Sequence, residues 1–228
     1  MIQAVIFDMD GTLFDTERLT VEGWQEMQRR GLLPPDFLKW TPGWRGKNRD
    51  DIRYQMKQLY GEDFDTEKIF DGRRTILNEM IERDGLPLKP GVPGIFESLK
   101  SMGLPMALAT ATTRVTVDNY MTKTGYGVYF DQIVTGDSVP NGKPAPDIFL
   151  SAANKLGIAP KNCLVVEDSP NGVRAGLAAE MYVVMVPDLE EPDKTMKAAL
   201  WHCCRTLDEI PALIEAENKT SMKKGDPV

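Results

Sequence analysis

From Lys89 onward the chain alternates between short apolar runs and amphipathic segments, and this alternation constrains its fold more than any other feature. The apolar runs predict strands and the segments between them predict helices. We predict strands at 105–109, 132–135, 163–167, 182–186 and 201–204. Apolar strands that alternate with helices are typical of a parallel sheet covered by helices on both faces. The sequence therefore predicts an α/β fold with a Rossmann-like sheet.

The first residues add another strand to this sheet. Residues 4–7 are apolar and partly β-branched, which predicts a buried strand. The pair Asp10 and Gly11 then predicts a turn. Asp8 and Asp10 therefore lie at the carboxyl end of this strand, where ligands bind in parallel sheets. Two carboxylates beside a glycine are also ordinary turn formers, so this pair alone leaves both interpretations open.

An all-helical block interrupts the alternation. Helices are predicted at 15–30, 48–60 and 65–83, and no convincing strand lies between residues 17 and 87. Because the opening strand belongs to the later sheet, this block is an insertion. The last predicted helix is 207–217. We expect a core formed by 1–16 and 88–217, an inserted helical cap at 17–87 and a flexible polar tail at 218–228.

The charge of the chain limits its partners. A net charge of -7 argues against nucleic acid or an anionic membrane as a partner. No apolar run approaches the ~18 residues that span a membrane. A small anionic ligand would therefore need a local positive group to attract it. We expect a small-molecule substrate and a monomer or weak oligomer.

The cysteines and the single histidine exclude several kinds of site. Cys163, Cys203 and Cys204 form neither a disulfide framework nor a zinc pattern, and the amino terminus lacks the features of a signal peptide. We therefore expect a cytoplasmic protein. A Ser-His-Asp or Cys-His mechanism would depend entirely on His202, which argues against both.

Four motifs occur in a specific order. They are DxDGT from Asp8, an apolar strand ending in Thr110, GKPxPxxF around Lys143, and an hVxEDSxxGhxAA motif containing Glu167 and Asp168. In this order they resemble the haloacid dehalogenase superfamily, in its phosphatase and β-phosphoglucomutase branch with a helical cap. The resemblance covers about residues 1–215. It implies a Mg²⁺-dependent phosphatase that hydrolyses small phosphorylated metabolites, sugar phosphates in particular.

The resemblance gives the two aspartates of DxDGT different roles. Asp8 is expected to be the nucleophile that forms an aspartyl-phosphate intermediate. Asp10 is expected to protonate the leaving oxygen and later to activate water. Two carboxylates so close do not both ionise easily, so a neighbouring cation would keep Asp8 charged while Asp10 carries the proton.

The resemblance also implies a metal site. Asp8, Asp168 and the backbone carbonyl of Asp10 would bind Mg²⁺, which prefers few carboxylates. Glu167 would bind the metal directly or through water. The same acidic stretch also starts a helix, with Ser169 as its cap, and both roles can hold together.

Other residues are expected to bind the phosphate group. Lys143 would contact the phosphate and Asp8 as a point charge, although taken alone it reads as an ordinary exposed lysine. Thr110, with the backbone amides of Ala111 and Thr112, would bind phosphate oxygens at a strand end that leads into a helix, and Thr112 or Thr113 can also cap that helix. Gly11 shapes the turn, and in the family the amide that follows this glycine helps to hold the phosphoryl group.

The helical block would select the substrate. Lys47 and Arg49 lie in a stretch that resembles the substrate-specificity loop of the family, but a solvated basic turn explains them equally well. Three tryptophans of this block are interpreted as core residues rather than as platforms for sugar rings, namely Trp24, Trp40 and Trp44.

The sequence departs from the family at two positions. Thr20 stands where the β-phosphoglucomutase branch has a histidine, which favours a phosphatase over the alternative of a hexose-phosphate mutase. Glu180 stands where relatives usually have a glycine before a strand. A third alternative is a non-catalytic phosphometabolite-binding protein, and the presence of Asp10 argues against it.

Overall fold

Six parallel strands form a sheet in the part of the chain that the structure describes. The computed structural model describes residues 1–44 and 49–224. The strands are Ala4–Phe7 (β1), Met106–Thr110 (β2), Gln132–Thr135 (β3), Cys163–Glu167 (β4), Tyr182–Met185 (β5) and His202–Cys203 (β6). Their order across the sheet is β3-β2-β1-β4-β5-β6. The predicted α/β class is confirmed, and each strand lies within one residue of its predicted bounds.

The helices alternate with the strands after the opening segment. They are Thr16–Arg29 (α1), Arg49–Tyr60 (α2), Thr66–Asp84 (α3), Val92–Ser101 (α4), Arg114–Thr124 (α5), Asp147–Leu156 (α6), Pro170–Ala178 (α7), Lys194–Ala199 (α8) and Ile210–Lys224 (α9). The three helices predicted for the inserted block are confirmed to within one residue at each end.

The last helix, α9, is longer than predicted. It continues to Lys224, so the predicted flexible tail at 218–228 is wrong over 218–224. The side chain of Asn218 accepts a hydrogen bond from Ile2 N (2.7 Å) and donates one to Ile2 O (2.9 Å). Ser221 is buried. These polar residues thus have partners in the fold, which composition could not show; residues 225–228 lie outside the described part.

Both faces of the sheet are covered by helices, as predicted. Within β1, Ile6 belongs to a core cluster that includes Phe149 of α6 and Val173 of α7. The next residue, Phe7, points to the other face, where its ring lies 5.7 Å from that of Phe96 in α4. Because successive side chains of a strand alternate between faces, β1 packs against helices on both sides.

The chain divides into two compact units. One consists of Met1–Asp15 and Leu88–Val228, and the other of Thr16–Pro87. The boundaries expected from the sequence lay after residues 16 and 87. The first unit contains the sheet, and the second contains α1, α2 and α3.

Aromatic rings form the core of the helical unit. The ring of Phe37 lies 5.0 Å from that of Trp44 and 5.3 Å from that of Trp24, and all three side chains are buried. Trp40 is 41% exposed, so its assignment to the core was wrong. Phe37 lies in a short helical turn, Phe37–Lys39, and its ring packs against both tryptophan rings, which also lie 6.3 Å from each other.

Replacing Glu180 with Gly is expected to increase the free energy of unfolding by about 0.5–1 kcal/mol. Glu180 follows α7 with φ 57°, the only positive φ of a non-glycine residue in the described ranges. It closes the helix in a Schellman motif, in which Met181 N donates to Gly176 O (3.2 Å). Glycine adopts this conformation without the steric cost of a Cβ atom. Urea unfolding of the purified variant measures the change.

The control for this prediction is Glu180→Ala. Alanine removes the carboxylate but keeps the Cβ atom, so we expect little change in stability. If Glu180→Ala stabilised the protein as much as Glu180→Gly, the charge rather than the backbone conformation would be the cause.

Candidate active site

Residues at the carboxyl ends of three adjacent strands form the candidate site. Asp8 follows β1, Thr110 ends β2 and Glu167 ends β4. β1 lies between β2 and β4 in the sheet, so the structure brings these residues together. Asp8 N donates to Val166 O (3.0 Å), which holds Asp8 beside the acidic pair at the end of β4. This edge is where parallel sheets bind ligands.

Lys143 lies in the loop before α6 and reaches into this cluster. Its Nζ lies 2.5 Å from Asp8 Oδ1, 2.7 Å from Glu167 Oε1 and 3.0 Å from Ala109 O. The side chain is only 8% exposed, and Nζ lies 4.8 Å from the centre of the Phe149 ring. Each of the three donors of the ammonium group therefore has an acceptor, which fixes a positive charge beside Asp8.

Glu167 is buried and fully engaged with protein donors. Its Oε1 accepts from Lys143, and its Oε2 accepts from Asp168 N, Ser169 N and Ser169 Oγ, each at 2.9 Å. Ser169 also caps α7 by accepting from Gly172 N (3.1 Å), as predicted. A Cβ atom at Gly172 would overlap the Glu167 carboxylate. This packing fixes the carboxylate orientation that holds Lys143.

Asp168 packs against the turn that follows β1. Thr12 Oγ1 donates to Asp168 Oδ1 at 3.1 Å. Gly11 has φ 81°, and a Cβ atom at this position would overlap the Asp168 carboxylate. A glycine is therefore required here both for its backbone conformation and for close approach. The turn and the acidic pair form one packed unit.

Two threonines at and after the end of β2 contact Asp10. Thr112 Oγ1 donates to Asp10 Oδ2 at 2.6 Å, and Thr110 Oγ1 lies 3.4 Å from the same oxygen. Thr112 N donates to Thr110 Oγ1 at 3.1 Å. Ala111, the predicted phosphate-binding residue between them, packs on Gly136, where a Cβ atom would overlap the Ala111 backbone. The structure thus places Asp10, Thr110 and Ala111 at one edge of the site.

The buried charges shift the pKa values of the site. Burial raises the pKa of Asp8 to about 8, the charges of Glu167 and Asp10 add to this, and Lys143 offsets only part of it. Burial raises the pKa of Asp168 to about 9, with the charges of Glu167 and Asp8 as further causes. Burial by itself would lower the pKa of Lys143, but Asp8 and Glu167 outweigh it and raise that pKa. Lys143 therefore stays protonated, but in the metal-free protein it does not keep Asp8 ionised as predicted, because burial and the neighbouring carboxylates outweigh it.

The acidic residues fit a divalent cation. Asp8, Glu167 and Asp168 each offer a carboxylate oxygen, and these oxygens lie within 4.8 Å of one another. Carboxylate oxygens are the ligands that Mg²⁺ prefers. A bound cation would also favour the ionised forms of the two aspartates, whose pKa values are raised by burial and then by the neighbouring carboxylates. The donor set and the charge both agree with the predicted Mg²⁺.

We expect Mg²⁺ to stabilise the protein more at about pH 9 than at about pH 6. Burial raises the pKa values of Asp8 and Asp168 from 3.8 to about 8 and about 9, so the metal-free folded state keeps protons that the unfolded chain loses. The stability that these two groups contribute to the metal-free protein is therefore fully present below their unfolded pKa of 3.8. It is lost as the pH rises through their folded pKa values. Mg²⁺ takes the place of these protons.

Thermal unfolding with EDTA and with Mg²⁺ at the two pH values measures this effect. The Asp168→Asn variant is the control, because it removes one of the titrating ligands and should weaken the pH dependence. An increase in melting temperature with Mg²⁺ that is the same at both pH values would contradict the prediction.

The substrate contacts predicted for the helical unit, Arg49 and Lys47, are not tested by the structure. Arg49 begins α2, where its guanidinium lies 2.7 Å from Glu67 Oε2 and 4.6 Å from the centre of the Phe70 ring. Half of its side chain is exposed. Its contact with a substrate stays a prediction. Lys47 lies outside the described residues.

Some contacts of the site were not predicted from the sequence. The role of Thr112 as a partner of Asp10 was missed, because three threonines follow one another at 110, 112 and 113 and nothing distinguishes them. The contact of Thr12 with Asp168 joins residues 156 positions apart. Thr12 is part of the DxDGT motif, which marks it as a candidate site residue. The sequence does not show that its partner is Asp168.

The fold and this site define a class of enzyme. A carboxylate beside a buried lysine, with further carboxylates at the end of a parallel sheet, is an arrangement that agrees with phosphoryl transfer. Residues 2–180 match the family of haloacid dehalogenase-like hydrolases, and the chain belongs to this family.

Curated relatives and solved structures agree with this assignment. Hexitol phosphatase A of Escherichia coli is 32% identical over 205 residues, which cover 82% of this chain and 87% of that protein. A probable pseudouridine-5'-phosphatase of Drosophila melanogaster is 38% identical over 193 residues, 80% of each chain. The crystal structure of a protein provisionally assigned as β-phosphoglucomutase from Thermotoga maritima has a TM-score of 0.78 and 28% identity, and the match covers 94% of this chain and 99% of that one.

The predicted family and the predicted enzyme class, a phosphatase of this family, are confirmed. The inserted helical segment in an α/β fold is confirmed as well. Within residues 1–44 and 49–224, no helix combines the length and the apolar character needed to cross a membrane.

Proposed function

We propose that the protein is a Mg²⁺-dependent phosphatase that hydrolyses phosphate monoesters of small sugar-type metabolites through an ester on Asp8. The observation that carries this proposal is the 2.5 Å contact between Lys143 Nζ and Asp8 Oδ1. The ammonium group orients the carboxylate for attack on phosphorus. It also supplies the local positive charge that a phosphate needs on a chain with a net charge of -7.

Two aspartates carry out the covalent steps. Asp8 attacks phosphorus and forms the aspartyl phosphate, while the bond to the leaving oxygen breaks and Asp10 protonates that oxygen. Asp10 then takes a proton from a water molecule, whose oxygen attacks phosphorus. The bond to Asp8 breaks, and inorganic phosphate and the free carboxylate result. Thr112, which donates to Asp10 Oδ2 at 2.6 Å, orients Asp10 for both transfers.

Asp8, Asp168 and the backbone carbonyl of Asp10 would hold the metal. When bound, Mg²⁺ neutralises charge on the phosphate oxygens. Both oxygens of Glu167 already accept hydrogen bonds from protein donors. We therefore assign Glu167 to holding Lys143, with contact to the metal only through water.

The end of β2 and the loop after it would bind the phosphate. Thr110 is buried at the strand end, with its hydroxyl directed towards Asp10. Its hydroxyl and the amide of Ala111 can donate to phosphate oxygens, and Lys143 contributes charge. Gly11 positions the turn that carries the remaining amide donors.

The relatives limit the substrate class. Hexitol phosphatase A and the probable pseudouridine-5'-phosphatase are named for substrates that share a phosphate monoester on a polyhydroxylated carbon skeleton. We propose a substrate of this kind. Arg49 and Lys47 are the proposed contacts for its hydroxyl groups or a second phosphate.

Phosphate release from a panel of hexitol phosphates, sugar phosphates and pseudouridine 5'-phosphate tests the proposal. We expect activity on at least one of these that stops with EDTA and returns with Mg²⁺. Arg49→Met should raise KM for the preferred substrate, whereas Arg74→Met, at another exposed arginine of the helical unit, should not. Activity that resists EDTA, or no activity on the whole panel, would contradict the proposal.

A hexose-phosphate mutase is the second candidate. The similarity to the Thermotoga maritima structure favours it, and Thr20 in place of the family histidine argues against it. A mutase would convert β-glucose 1-phosphate to the 6-phosphate with a bisphosphate primer and release little phosphate. Hydrolysis without conversion would exclude it.

A further inference from the structure

An ion pair between Lys89 and Asp188 lies at the same edge of the sheet as the candidate site. Lys89 Nζ is 2.7 Å from Asp188 Oδ1, and the two side chains are 17% and 11% exposed. Lys89 N donates to Leu13 O at 2.9 Å, which holds Lys89 against the turn after β1. Asp188 follows β5, where Val186 N donates to Glu167 O at 2.8 Å. Each end of the ion pair is thus attached to a segment that borders the site.

Strand order places this ion pair beside Asp168. β4 lies between β1 and β5, and Asp168 is the first residue after β4. A contact between the turn after β1 and the segment after β5 therefore crosses the end of β4. Asp188 therefore lies near the end of β4, where Asp168 begins the acidic pair's turn.

The second oxygen of Asp188 is buried without a hydrogen-bond donor. Oδ1 accepts from Lys89, whereas Oδ2 accepts from no donor in the described ranges 1–44 and 49–224. Leaving such an oxygen unpaired costs about 1–3 kcal/mol, and native proteins pair nearly all of them. Because Asp188 lies beside a site that fits Mg²⁺, a water molecule bound to that cation is an expected donor to Oδ2. Mg²⁺ keeps several of its water ligands in proteins, and each offers O–H donors.

We propose that Asp188 is a positioning residue of the metal site, whose Oδ2 accepts a hydrogen bond from a water molecule bound to the divalent cation. The cation itself would be held by Asp8 and Asp168, so this inference rests on the proposed function. Lys89 occupies Oδ1, so Oδ2 is the oxygen that remains to accept from such a water molecule. Partners of this kind behind the direct ligands tune metal affinity without touching the substrate.

Calorimetric titration of the metal-free full chain with Mg²⁺ tests the proposal. Asp188→Asn keeps the shape of the side chain and removes the carboxylate, and we expect Mg²⁺ affinity to fall about 10–100-fold. Lys89→Met removes a positive charge and keeps the acceptor, so the affinity should stay the same or increase. The double variant restores the net charge of the wild type, and we expect it to bind as weakly as Asp188→Asn.

Kinetics provide a readout that a purely structural role would not change. For Asp188→Asn we expect a higher Mg²⁺ concentration for half-maximal activity, with most of the wild-type kcat recovered at saturating Mg²⁺. Wild-type affinity in the double variant would show that Asp188 acts through its charge alone and would overturn the proposal. Wild-type affinity in Asp188→Asn would overturn it as well.

Reference variants separate this inference from the proposed function. If Asp168→Asn loses Mg²⁺ binding while Asp188→Asn keeps it, the positioning role fails and the proposed function stands. If the wild type itself binds no Mg²⁺, the proposed metal site fails. Should circular dichroism show that Asp188→Asn does not fold, Lys89→Met decides: retained or tighter binding supports the proposal, and weaker binding overturns it.

Discussion

Replacing Asp8 with Asn is expected to lower the rate of phosphate release by at least about 10⁴-fold, because loss of a nucleophile closes the covalent route. The amide has nearly the same size as the carboxylate but forms no ester with phosphorus. Lys143 keeps its second carboxylate, Glu167, at 2.7 Å, so the fold should be retained. Steady-state phosphate release at saturating Mg²⁺, with circular dichroism as a check on folding, measures the effect.

A matched control is Asp118→Asn. Asp118 is an exposed aspartate of α5 that pairs with Arg114 at 2.8 Å. Exposed ion pairs contribute little to stability, so this variant should keep the wild-type rate. Beryllium fluoride, which mimics a phosphoryl group on a carboxylate, should form an adduct on Asp8 in the wild type and none in Asp8→Asn. A folded Asp8→Asn protein with substantial activity would exclude an ester on this residue.

Replacing Lys143 with Met is expected to lower the free energy of unfolding by about 3–5 kcal/mol in EDTA, the usual cost of removing one partner of a buried ion pair. Asp8 and Glu167 would then be buried without their cation, since Lys143 Nζ contacts both. Activity should fall about 10²–10³-fold, because a charge directed at the phosphate is lost. Urea unfolding and phosphate release measure the two effects.

Two comparisons separate the charge of Lys143 from general damage. Lys155→Met changes an exposed lysine of α6 and should alter stability by less than about 0.5 kcal/mol. Mg²⁺ should restore part of the stability of Lys143→Met, because the metal supplies positive charge next to the same carboxylates. If Lys143→Met were as stable and as active as Lys155→Met, the proposed role of Lys143 would be wrong.

Elements of the fold followed from local features of the sequence. β3 and β4 begin and end where predicted, because apolar β-branched residues between turn formers leave few alternatives. The helix after β4 starts at the predicted cap, Ser169, because a serine side chain can accept from the free amides of a first turn. Motifs such as DxDGT and GKPAPD singled out Asp8 and Lys143 by their residue types and their order along the chain.

Other predictions failed where a side chain depends on a partner remote in sequence. The tail was predicted to be flexible from its polarity, yet Asn218 bonds to Ile2, 216 positions away. Trp40 was expected in the core of the helical unit, but it is exposed, and the rings of Phe37, Trp24 and Trp44 pack on one another instead. Composition gives the polarity and the size of each side chain. It does not show which side chains contact one another in the folded protein.

The sequence by itself determined the strands and most of the helices, because periodicity and turn formers act over a few residues. The residue types proposed for the chemistry came from motifs that resemble those of a known family. Only the tertiary structure decided which of those residues meet. Lys143 lies 135 positions from Asp8, and Thr112 lies 102 positions from Asp10. The pairing of Asp188 with Lys89 next to Asp168 likewise depends on β4 lying between β1 and β5. Strand order results from packing of the whole sheet, and no short stretch of sequence encodes it.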